Sequence, residues 1–164
     1  MFKIGDTVML ASNGICEIKD IVEMDLSGKS KEYFLLKPID SETSKVYIPI
    51  MTANQRMRKV MSRKEAEELI RHIEEIEEIK IKNEKEREKK YKEIIQSCDP
   101  KQLVSIIKNL YFRREDRLMN GKKTTAIDEK YFKIASHNFH SEIAFALGCK
   151  ESEVVVLIKE KVSG

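Results

Sequence analysis

A change of hydrophobic period near residue 60 divides this 164-residue chain and restricts it to few architectures. Ahead of the change, the run from Phe2 to Leu10 alternates roughly in period two and breaks at Ser12-Asn13-Gly14. Asn-Gly is a strong hairpin signal because both residues tolerate positive φ. A second run follows from Ile15 to Met24, with Ile15, Ile18 and Ile21 among charged neighbours, and ends at the turn Asp25-Leu26-Ser27-Gly28. Tyr33 to Leu36 makes a third strand, stopped by Pro38. The polar turn from Asp40 to Ser44 leads into a fourth, Lys45 to Ile48, closed by Pro49. Four or five short strands at this spacing suggest a small SH3-like or Tudor-like β-barrel.

Beyond the change the pattern is helical, so the fold class is α+β: the small barrel, then an all-α domain of about five helices. Residues 52–61 show no clear period. They divide the chain into a β domain over 1–53, a linker over 54–61 and a helical domain over 62–164. Ser62-Arg63-Lys64-Glu65 forms a capping box, and Ala66, Leu69, Ile70, Ile73 and Ile76 share one apolar face. This first helix is acidic, with seven glutamates against one arginine between Glu65 and Ile79. The sign reverses at Lys80: from there to Lys92 seven basic residues stand against three glutamates. A break near Lys82-Asn83 starts a second helix with a second capping box, although one continuous helix to Ser97 also fits. Asp99-Pro100 opens a third helix with Leu103, Ile106, Ile107 and Leu110 inward. Thr125 to Asp128 caps a fourth, with Tyr131, Phe132, Ala135, Phe139 and Ile143 on one side and Gly148 at its end. Val154 to Ile158 is too isolated to pair as a strand and reads as a short fifth helix.

Charged residues make up 36% of the chain, yet the net charge is only +3, so nucleic acid binding rests on where the charge sits. No apolar run is long enough for a signal peptide or a membrane span, and a cytosolic protein is expected. Cys16, Cys98 and Cys149 are widely spaced without C-x-x-C, which predicts reduced thiols rather than a disulfide framework or a zinc site. No phosphate-binding glycine loop or serine-nucleophile elbow is present. His137 and His140, three apart on a helix, lack a third ligand at metal spacing, and His72 reads as solvated. No enzyme and no cofactor are expected. The spacing of Ala144, Gly148 and Val154 matches a helix-turn-helix, but the would-be reading helix begins Glu151-Ser152-Glu153, which repels phosphates.

The order Phe2-x-x-Gly5-Asp6-x-Val8, Asn13-Gly14, Ile18-x-x-Ile21, Glu32-Tyr33-x-x-Leu36-Lys37 and Val46-x-Ile48-Pro49 resembles the CarD/CdnL family of bacterial transcription regulators. That family shares its first module with the polymerase-binding domain of transcription-repair coupling factors. The likeness continues through Lys90-Tyr91-Lys92, Leu110-Tyr111-x-Arg113 and Thr125-x-x-Asp128. It departs at Leu10-Ala11, where members usually carry Tyr-Pro, and at Cys16, where many carry glycine.

The resemblance implies that the β domain binds the β-subunit lobe of RNA polymerase through Met24 and Tyr47, with Lys45, Val46 and Ile48 beside them. It also implies that the helical domain contacts promoter DNA near the upstream edge of the transcription bubble, modulating open-complex stability. Arg87, Lys89, Lys90, Lys92, Lys123 and Lys130 are the expected DNA-contacting side chains, meeting phosphates without reading sequence. Members place a tryptophan wedge near the start of the second helix. This chain has no tryptophan, and the matching position falls at Arg87. A monomer is expected. Two other readings stay open: a protein-interaction adaptor using the acidic Glu65–Glu78 face without touching DNA, and a helix-turn-helix regulator.

Overall fold

The computed structural model describes residues 1–163 and divides into two compact units, Met1–Val60 and Met61–Gly164. Unit one holds a five-stranded antiparallel sheet: β1 (Thr7–Leu10), β2 (Gly14–Leu26), β3 (Lys29–Pro38), β4 (Val46–Pro49) and β5 (Met57–Lys59). The spatial order is β4-β3-β2-β1-β5. Because side chains alternate across a strand, one face forms the core: Val8, Leu10, Cys16, Ile18, Phe34, Leu36 and Ile48 with Ala53 and Met57, while Met9 and Ile15 are buried on the other face.

The turns differ from the sequence expectation in an instructive way. Leu10 pairs with Gly14, so Ala11–Asn13 is a three-residue loop, and only Gly14 takes the left-handed conformation, at φ 71°. The tight two-residue hairpin lies at the next corner, where Leu26 pairs with Lys29 and both Ser27 and Gly28 have positive φ. Ser27 accepts φ 67° because a turn with positive φ at both central residues matches the twist of the two long strands it joins.

The expected barrel is not closed. β4 and β5 stand at opposite margins, and among the described residues no ladder joins them. A short turn at Ile50–Thr52 and the one-turn helix α1 (Ala53–Arg56) pack on both margins instead, with Ala53 buried beneath. Strands of four and three residues offer too few hydrogen bonds to bend shut across that gap. The stretch expected as a 54–61 linker therefore ends α1, supplies β5, and sends the Val60 amide to the Thr7 carbonyl at 3.2 Å.

Five further α-helices build unit two: α2 (Arg63–Arg71), α3 (Arg87–Ser97), α4 (Pro100–Met119), α5 (Ala126–Leu147) and α6 (Glu151–Ser163). Three of their starts, those of α2, α4 and α5, are those the sequence signals. α3 begins at Arg87, three residues beyond the start its expected capping box implies, because Asn83 caps a 3₁₀ turn over Glu84–Glu86 instead, and α6 begins at Glu151, ahead of Val154. The Ser62/Glu65 capping box forms in full, Asp99 caps α4 ahead of its first-turn proline, and Thr125 caps α5. Gly148, left-handed at φ 69°, ends α5 and turns the chain into α6. Tyr91, Leu103, Ile106, Tyr131, Ala135, Phe139, Ile143 and Val154 lie at the centre. Buried Glu142 accepts the Met61 amide at 2.9 Å. No helix among the described residues is long and apolar enough to cross a membrane, and no disulfide links the three cysteines.

The first helix stops at Arg71, well short of the expected break. One 3₁₀ turn, Ile73–Glu75, follows, and the chain then runs extended to Asn83. Continuing the helix would have set Glu74 against Glu77 and Glu78, and Glu75 against Glu78, on one surface. Instead α4 satisfies the extended backbone. The Lys108 ammonium donates to the carbonyls of Ile73, Ile76 and Glu74 at 2.7, 2.5 and 3.3 Å. Ser105 donates to Glu77 O at 2.8 Å, and Asn109 to Ile79 O at 3.1 Å. Ile79 and Ile81, two apart as an extended chain requires, pack on the core.

Candidate functional site

Two surfaces carry the residues singled out in the sequence. On unit one, the register puts Val22 opposite Tyr33 and Leu35 opposite Tyr47, all on the face turned away from Phe34, Leu36 and Ile48. Tyr47 is 41% exposed, and Val22, Met24, Tyr33 and Leu35 are half-buried, so this part of the outer face carries an apolar group that is not sealed, with exposed Asp20 and Lys31 on the same face. Met24 shares the face but not the neighbourhood of Tyr47. Leu35, opposite Tyr47, pairs with Asp20, and Met24 lies four residues further along β2, roughly 13 Å at strand rise. Lys45 is exposed just before β4.

Ile48 is wholly buried, and Val46 packs against the same core, so neither side chain is turned outward. The reason is the two-residue period: with Tyr47 outward, both its neighbours point in. What Val46 and Ile48 contribute outwardly is backbone, because β4 pairs with β3 alone and leaves its other margin open among the described residues. Tyr33 and Leu35 were not picked from the sequence as contact residues. Their signal was available in the alternation of Tyr33-Phe34-Leu35-Leu36, where every position is apolar and so neither face is polar.

On unit two, Arg87 does not project. Its side chain is 11% exposed and grips Glu84 through two bonds of 2.8 and 3.0 Å. It also donates to the Tyr91 hydroxyl at 2.7 Å and to Asn109 at 3.1 Å. Tyr91 in turn donates to Asp128 at 3.0 Å, Asp128 accepts Arg113 at 2.6 Å, and Arg113 reaches back to Glu84 at 3.3 Å. Glu84, Arg87, Tyr91, Asp128 and Arg113 thus close a ring that ties α3, α4 and α5 together. Burial works against charge on Arg87, but the bonds to Glu84 and Tyr91 outweigh it and hold the guanidinium above its usual value. Arg87's hydrogen bond holds the Glu84 carboxyl below its usual range, while burial pushes the Tyr91 hydroxyl up to about 12. The position matched to the family's wedge is therefore a staple inside the unit. An arginine here finds Glu84 one turn back and Tyr91 one turn ahead, and that local pairing wins over projection.

The lysines are solvated. Lys89 and Lys90 line an open cleft of about 300 Å³ with Lys80, Lys82 and Asn83 from the extended run; Glu86 and Glu93 also line it. Lys90 lies 3.9 Å from Glu93, and Lys92, outside the cleft, 3.7 Å from Glu88. Pairs this exposed are worth little, so the ammonium groups can be re-used by an incoming anion. Lys123 is exposed while its carbonyl accepts Arg117 at 2.8 Å. Lys130 is exposed with its ammonium 5.4 Å from the Tyr131 ring centre. Tyr111, which the likeness includes, and Phe112, Leu118 and Met119, which the sequence reading does not name, are large apolar side chains at least half exposed on the C-terminal half of α4.

The histidines form no site. His137 faces Glu151 at 3.5 Å, burial lowers the His140 pKa, and among the described residues no group of three side chains could hold a metal. The α5–α6 corner buries Val154 and Ala144, and α6 opens with exposed Glu151, Ser152 and Glu153.

Residues 2–61 match the family model described as CarD-like/TRCF RID domain, and residues 68–159 match the one described as CarD, C-terminal domain. A search of curated proteins found no match.

Proposed function

The chain belongs to the CarD family, whose members are transcription regulators that interact with RNA polymerase, and from that premise we propose a non-enzymatic bridge between polymerase and promoter DNA. Unit one docks on the polymerase β-subunit lobe through the open β4 margin and the outer face around Tyr47. Main-chain pairing supplies the affinity, and the tyrosine the specificity. Unit two meets DNA near the upstream edge of the bubble through Lys80, Lys82, Lys89 and Lys90, with Lys92, Lys123 and Lys130 in support.

Magnitudes favour this division. A handful of phosphate contacts gives about 10⁻⁴ to 10⁻⁶ M nonspecific affinity at physiological salt, too weak to hold a chosen promoter. Docked on polymerase, the same surface faces DNA at an effective concentration on the order of mM, which makes a weak grip sufficient. The supporting observation is the lysine cleft, with two of its lysines on α3 and two on the extended run before it, in the module that follows a polymerase-type module.

The test uses the full chain. Tyr47→Asp is expected to abolish retention of polymerase at moderate salt. A Lys82/Lys89/Lys90 reversal to glutamate is expected to retain polymerase and shorten open-complex lifetime. Unchanged lifetime with the triple reversal rules out the DNA half of the proposal.

A further inference from the structure

A second concavity in unit two is lined by none of the residues of the lysine cleft. It is an open groove of about 740 Å³ between α2 and the first turn of α4. Its floor is apolar, built from Met61, Leu69, Ile76 and Pro100. Its walls are acidic, with Glu65, Glu68, Glu75 and Asp99 against Lys64 and Lys101. These acids belong mostly to the segment in which seven glutamates stand against one arginine. The carboxylates are positioned but not used up. Glu65 accepts the Ser62 amide at 3.3 Å, Glu68 meets Arg71 at 2.6 Å and His72 at 3.0 Å, Glu75 lies 3.3 Å from the other ring nitrogen of His72, which also lines the groove, and Asp99 accepts the Lys101 amide at 3.0 Å. A carboxylate has about four acceptor positions, so each retains capacity toward a cation.

An apolar trough between negative walls excludes a polyanion and fits a chain of the opposite pattern. Long cationic side chains lay their methylene stems on apolar surface while their charged ends reach a rim. We propose that this groove docks a Lys/Arg-rich segment of another protein, which seats one large apolar side chain over Leu69 and Ile76 and sets its cations against Glu68 and Glu75. The partner is defined by that chemistry: a short basic stretch interrupted by a single apolar anchor.

The experiment titrates the full chain against a fluorescein-labelled peptide of lysines and arginines around one leucine, read by anisotropy. Saturable binding is expected. Replacing the peptide's leucine by alanine is expected to weaken it about tenfold, the size of one buried aliphatic side chain. Glu68→Lys with Glu75→Lys, both at exposed positions, is expected to weaken binding by more than tenfold and to leave or strengthen binding of duplex DNA. Circular dichroism checks the fold, and Glu75→Gln alone serves as the milder variant should the double reversal unfold. Equal binding of the peptide by the charge variants overturns the proposal, as does indifference to loss of the leucine. Self-association of the wild-type chain that the double reversal abolishes, seen by sedimentation, also overturns it, because the groove then takes the Lys80–Lys92 run of a second copy. Loss of the DNA half of the bridging function leaves these outcomes untouched, since the probe contains no nucleic acid.

Discussion

The two units satisfy the same polar demands by opposite means. In unit one the ladders between strands consume the backbone donors and acceptors, and its buried side chains are all apolar among the described residues. In unit two each helix satisfies its own backbone, so nothing in the main chain says how one helix should sit on the next. Side chains carry that information: buried Asp128 and Glu142, the Tyr91 hydroxyl, and Lys108 against three carbonyls. Sheets are oriented by their hydrogen bonds and helices by packing, so polar staples belong where packing alone leaves freedom. The surfaces follow suit. Unit one offers a half-buried apolar face and an open margin, and unit two offers charge.

The sharpest way to break this contrast is Asp128→Ala. It removes the acceptor of the Tyr91 hydroxyl proton and leaves Arg113 with Glu84 alone, and the expected loss is about 3–5 kcal/mol in unit two. Urea unfolding followed separately in each unit should show one transition moving and the other still. Next in size is Ile48→Ala, expected to cost roughly 3 kcal/mol in unit one through the cavity it opens. Tyr47→Ala, one residue away but outward, should leave the same transition nearly where it was while weakening polymerase retention.

Alkaline titration separates the units by pH. Burial first, then Asp40, raises the Cys16 thiol from 9.0 to about 11; burial raises the Tyr91 hydroxyl from 10.0 to about 12. A raised pKa means the folded state holds the proton more tightly. The stabilisation is complete below the unfolded value and disappears as pH climbs through the folded one. Unit one should therefore weaken between pH 9 and 11, and unit two between pH 10 and 12. Tyr91→Phe should remove the second trend and Cys16→Ala the first, measured by denaturation midpoints across that range. The smallest expected effect is Ser62→Ala, about 1 kcal/mol from the lost cap on α2.

Helix starts were legible because capping is local: Ser62, Asp99 and Thr125 each bond an amide within three residues. The end of α2 was not, because its termination depends on Lys108 and Ser105, about thirty positions away, taking over carbonyls that a local pattern would assign to the helix. Barrel closure failed as an expectation for a related reason. Strand count and turns are visible locally, but whether two short margins meet is decided by a helical turn lying between them. At the candidate site, the run of lysines was visible as charge. The fate of Arg87 was not, since its partners come from Asn109 on another helix as well as from nearby Glu84 and Tyr91. That Ile48 points inward was not legible from the likeness, because a likeness in order says which strand is involved without saying which side chains turn outward.

The run from Glu77 to Asn83 is held by a single helix, through Ser105 and Asn109, and by Ile79 and Ile81 against the core, rather than by a ladder. Letting it go costs those few bonds and the packing of two isoleucines, and leaves the helices standing. A trypsin cut after Lys80 or Lys82 should sever the chain there without scattering it. The two fragments would stay associated as a nicked, non-covalent whole, and could be produced apart and recombined.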